Sequence, residues 1–151
     1  MTLRRKLPAD YCGPAGAGTP SVLEDYLQRL RSLGQASESD YLADPKIHDL
    51  AARYLHLAME ATIDIANHWI SDVGLRTPDT NRDIFVVLEQ AGEIEPALSD
   101  RLQDWAGLRN VLVHDYLTID HGIAYSAIRD DLGDLDAFRL WALGKLDGDE
   151  A

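Results

Sequence analysis

From Ser21 onward, apolar side chains recur every three or four positions, and no run of strand length shows period-two alternation. The pattern predicts helices. Val22, Leu23, Tyr26, Leu27, Leu30 and Leu33 line one face of a first helix that closes at Gly34. Asp44-Pro45 reads as an N-cap followed by proline in the first turn. It opens a long second helix through Ile47, Leu50, Ala51, Tyr54, Ala58, Ala61, Ile65 and Trp69, ending at Gly74. A shorter third helix starts at Thr80 or Asn81, carries Ile84, Phe85, Val87 and Leu88, and stops at Ala91-Gly92. Pro96 opens a fourth through Leu98, Leu102, Trp105 and Leu108 toward Leu112. A fifth is expected from His121-Gly122 through Ile128, Leu132, Leu135, Phe138 and Leu143, across Gly133. The expected fold is all-α, an antiparallel bundle of four to five helices with short connections.

Residues 1–20 do not join this pattern. Pro8, Gly13, Pro14, Gly16, Gly18 and Pro20 offer little surface to bury against the entropy of ordering them, so the segment reads as a flexible arm. Residues 21–147 then form the bundle, and 148–151 an acidic tail. The 151 residues, 46% of them hydrophobic, suit a single core. Fourteen Lys and Arg against 26 Asp and Glu give a formal charge of -12, which argues against coating nucleic acid by phosphate neutralisation alone. Cys12 is the sole cysteine, so no intramolecular disulfide forms and a cytoplasmic location is expected. Arg4, Arg5 and Lys6 lack a following apolar region, and Glu60 and Asp64 interrupt the longest apolar stretch, so neither secretion nor membrane insertion is expected.

The fourth helix carries the unusual chemistry. Leu98, Leu102, Trp105, Leu112 and Tyr116 share one stripe, and Arg109 falls in its middle. A cation there must snorkel out, pair with an acid, or line a cleft or subunit interface. Asn110, His114 and Tyr116 follow within eight residues of it. On an intact helix Asn110 and His114 share a face, whereas Arg109 and His114 stand about 140° apart and meet only through helix distortion or a second subunit. On the long second helix His56, Glu60, Asp64 and His68 form a polar stripe at four-residue spacing. Its outer members are about 18 Å apart, too far for one ion, and neither H-E-x-x-H nor E-x-x-H occurs, so no metal and no cofactor is expected. The stripe reads more simply as a solvated or interface face. The acids Asp130, Asp131, Asp134, Asp136, Asp147, Asp149 and Glu150 crowd the C-terminal helix and tail, a solvated face or an attraction for a basic partner.

Arg109-x4-His114-x-Tyr116, at the end of the fourth helix and following a long helix that bears Glu60, Asp64 and His68, resembles the R-x4-H-x-Y signature of HepT-like toxins of the HEPN superfamily. The likeness covers roughly residues 21–147. It implies a two-fold homodimer and metal-independent cleavage of RNA, with Arg109 holding the phosphate and His114 moving protons. Asn110 would orient the phosphate or the imidazole, and Asp64 or His68 would support Arg109 or His114 from across the cleft. It further implies that an MNT-type nucleotidyltransferase antitoxin adds AMP to Tyr116, placing bulky negative charge where RNA would enter. Arg101, Arg109 and Arg129 are the cations available for a small positive cleft. Two other readings stand beside this one. One is a non-catalytic helical module that binds a nucleotidyltransferase and a nucleotide phosphate; the other is a structural dimerising bundle in which Arg109 is salt-bridged.

Overall fold

The computed structural model describes residues 19–114 and 119–147; the side chains of Val111, Val113, His114, Leu146 and Asp147 lie outside that description. Seven helices occur in it: α1 (Pro20–Leu33), α2 (Glu38–Ala43), α3 (Pro45–Val73), α4 (Asn81–Gln90), α5 (Pro96–His114), α6 (His121–Asp130) and α7 (Leu132–Asp147). Among the described residues there is no strand. No helix among them is long and apolar enough to cross a membrane.

Short polar side chains set most of the helix starts. Thr19, Asp44, Thr80 and Asp120 each accept a hydrogen bond from a backbone N–H of the first turn, satisfying donors that the helix itself leaves unpaired. α1 thus begins at Pro20, which is buried, rather than in an arm reaching position 20. The rest of that arm and the acidic tail lie outside the described residues. Gly74 ends α3 with φ 76°, a left-handed conformation that costs glycine little.

Two boundaries differ from the sequence pattern. α2 was not expected. It is a six-residue helix capped by Ser37, too short to show a helical period, and it inserts Tyr41 into the core against Tyr125 with ring centroids 4.9 Å apart. Burial pushes the Tyr41 phenol up to about 12. The single C-terminal helix expected across Gly133 is instead two, divided at Asp131. α6 packs on α1, α2, α3 and α7, whereas α7 reaches α1, α3 and α5. One straight rod cannot serve both sets, and the weak helix formers Asp130, Asp131 and Gly133 make the break cheap.

The 29-residue α3 is the central element and packs against all six others. It buries Leu55, Ala58, Met59, Ile65, Ala66 and Trp69. At one end of the core Phe138 meets Phe85 edge-on at 6.1 Å, and Trp141 meets Trp69 at 5.9 Å, arrangements that aromatic quadrupoles favour. The Lys145 ammonium lies 5.2 Å from the Trp69 ring centre and 2.7 Å from Glu93, so its charge is paired where its stem is buried. α5 packs directly on α3, and the candidate site lies along that contact.

Candidate active site along helices α3 and α5

α5 corresponds to the fourth helix read from sequence, and its apolar stripe is real. Leu102, Trp105, Ala106 and Leu112 are buried and Leu98 is half-buried, while α3, α4 and α7 pack on the helix. Ser99 anchors its first turn: the buried hydroxyl donates to the Phe85 carbonyl at 3.2 Å and accepts from Gln103 Nε2 at 3.1 Å. α5 is therefore held at its start, and its backbone stays helical through position 114.

Arg109 interrupts the stripe as expected, and the structure supplies its partner. Its side chain is 20% exposed and that of Glu60, on α3, 33%. Arg109 Nε donates to Glu60 Oε1 at 2.7 Å, and Nη2 donates to the same oxygen. The remaining terminal nitrogen, Nη1, is 3.5 Å from Asn110 Oδ1, a weak contact to an exposed residue. Glu60 thus fixes one edge of the guanidinium, and among the described residues the opposite edge meets only Asn110. A permanently charged fork held this way can grip a phosphate without first having to be ordered.

Asp64 and His68 follow Glu60 at four-residue intervals on the same face of α3, and both are half-buried, as is His56. The polar stripe is consequently not a freely solvated face. Position 114 is about 140° around α5 from position 109, and the helix is continuous between them, so no distortion before His114 brings the two positions onto one face. Tyr116 lies outside the described residues. The three arginines considered for a positive cleft have separate engagements. Arg101 pairs with Asp134 at 2.6 Å, Arg109 with Glu60, and Arg129 donates to the Gly34 carbonyl at 3.1 Å. A cavity of about 600 Å³ between α5 and α6 is lined by Arg101 but also by Glu38, Asp104, Asp120, Asp131 and Asp134. Five carboxylates against one cation repel a phosphate, and Arg109 is not in its lining.

Glu60 is the residue whose task sequence reasoning left open. It stood in the stripe on the long helix, and Arg109 was expected to find some acid, but the two are 49 residues apart in the chain. The available signal was the match between a polar stripe on one apolar helix and a lone cation on the apolar stripe of another.

Known proteins resemble this chain in sequence and in fold. The family described as Ribonuclease HepT-like matches residues 23–140. Over 100 residues the chain is 36% identical to the mRNA nuclease HepT of Shewanella oneidensis, covering 66% of this chain and 75% of that protein. Over 103 residues it is 33% identical to the tRNA nuclease HepT of Aphanizomenon flos-aquae, covering 68% and 70% respectively. Among solved structures it resembles the tri-AMPylated Shewanella oneidensis HEPN toxin in complex with MNT antitoxin, with a TM-score of 0.76 and 30% identity over 83% of this chain and 93% of that one. The matched span runs from α1 to α7 and contains the whole α3–α5 contact, and the chain belongs to the HepT-like ribonuclease family.

Proposed function

We propose that this protein is the toxin of a toxin–antitoxin pair, an endoribonuclease that cleaves RNA in the cytoplasm without a metal ion and uses Arg109 and His114. The observation that carries the reading is the Arg109 guanidinium, anchored by Glu60 on one edge and, among the described residues, meeting only Asn110 on the other. In the reaction a base removes the ribose 2′-OH proton, the oxygen attacks the adjacent phosphorus, and an acid protonates the departing 5′-oxygen. An imidazole suits both tasks, because its ordinary pKa of about 6.5 keeps both forms available near neutrality. Arg109 neutralises charge on the non-bridging oxygens, and Asn110, adjacent and exposed, helps to orient the phosphate. Asp64 and His68 support the site from α3.

Because α5 is unbroken between Arg109 and His114, one chain alone does not present both positions on one face, and we assign the complete site to a homodimer in which the two His114 divide the acid and base roles. Neutralisation follows from AMP addition to Tyr116 by an MNT-type nucleotidyltransferase, which puts a negative phosphate beside Arg109. The functional unit is then residues 21–147, flanked by an arm and an acidic tail.

The Glu60 pair also favours a second reading, in which Arg109 is a structural cation and the bundle cleaves nothing. The test is RNA cleavage by the purified chain, with and without EDTA, before and after co-expression with a nucleotidyltransferase. Cleavage that persists in EDTA and disappears once a peptide spanning Tyr116 carries AMP is expected. No cleavage by unmodified protein favours the structural reading, and loss in EDTA with an unchanged thermal melt rules out the metal-independent reaction.

A further inference from the structure

At the opposite end of α3 from Gly74, His48 and Asp49 in the first turns of the helix meet His121, the first residue of α6. The two imidazole rings lie 3.9 Å apart between centres, tilted by 36°. One ligating atom from each of the three residues falls within 4.8 Å of the others. Among the described residues Nδ1 of both histidines is buried without a hydrogen-bond partner. That is costly for a polar atom unless something unseen completes it. His48 Nδ1 approaches Asp49 Oδ1 to 2.8 Å but is not aligned for a hydrogen bond. A nitrogen lone pair and a carboxylate oxygen held so close, with no proton in line between them, have the disposition of two donors to a common cation.

We propose that His48, Asp49 and His121 form a divalent metal site that takes zinc and clips the start of α3 to the start of α6. Two imidazole nitrogens and one carboxylate oxygen are a zinc donor set, and the Asp49 side chain, 70% exposed, leaves the outward position to water. Ligating atoms of a tetrahedral zinc ion with bonds of roughly 2 Å stand about 3.3 Å apart, so atoms within 4.8 Å of one another have to close in to take the ion. The stripe His56, Glu60, Asp64 and His68 is not involved, and the site is independent of the ribonuclease reading.

Titration of the full chain with zinc chloride, followed by calorimetry and thermal melting, decides the matter. The wild type is expected to bind one zinc per chain and to melt about 5–10 °C higher at a 100-fold excess over Kd. His48→Gln and His121→Gln should each weaken binding by at least about 10–100-fold, and His56→Gln should leave it unchanged. Should the histidine variants fail to fold, Asp49→Asn, which alters only an exposed carboxylate, must still weaken zinc binding. Absence of saturable binding, or binding that Asp49→Asn and His121→Gln leave intact, would overturn the proposal.

Discussion

Replacing His114 by alanine is expected to lower the rate of RNA cleavage by about 10²–10⁴-fold, the range that a positioned acid–base group contributes. The protein should stay folded. The described core is carried by Leu55, Met59, Trp69, Phe85, Leu102 and Phe138, on α3, α4, α5 and α7. The check is an initial-rate assay on a fixed RNA beside a thermal melt. A variant that cleaves like the wild type removes His114 from the mechanism, whereas a variant that no longer melts cooperatively assigns it to the fold.

The second large effect concerns Arg109. Arg109→Ala should lower cleavage by about 10²–10³-fold, the loss expected when a preorganised donor to an oxyanion is removed. Arg109→Lys should recover little, because an ammonium cannot reproduce a planar fork held on one edge by Glu60. Glu60→Ala separates positioning from charge. The cation remains, but its anchor is gone, and cleavage should fall by about 10-fold, less than with Arg109→Ala. The same change should cost about 1–3 kcal/mol of stability, since it leaves a half-buried guanidinium without its carboxylate. Rates and urea unfolding measured on the set distinguish the cases. If Glu60→Ala and Arg109→Ala destabilise equally and neither alters cleavage, the pair is structural.

Much of this arrangement was legible in the sequence because it is local. Thr80 and Asp44 as caps, Pro45 and Pro96 in first turns, and Gly74 as the stop of α3 act within one turn of themselves, and the structure has each of them. The stripe on α5 was equally readable, since a helical period depends only on spacing. What spacing does not encode is which faces meet. Glu60 and Arg109 find each other through the packing of α3 on α5, and the same helix brings His48 to His121 at its other end. α2 escaped because six residues are too few to show a period. The turn at Asp131 escaped because it answers to neighbours far along the chain, to which the apolar pattern of α6 and α7, continuous across the break, is blind.

The central claim is that a guanidinium and imidazoles, with no metal, direct a ribose 2′-oxygen onto the neighbouring phosphorus. The termini of the cut RNA report this directly. Attack by the 2′-oxygen must leave a 2′,3′-cyclic phosphate on one fragment and a free 5′-hydroxyl on the other, and mass spectrometry of a short oligonucleotide digested in EDTA is expected to find both. Fragments ending in 3′-hydroxyl and 5′-phosphate, the signature of attack by water from the other side, would contradict it.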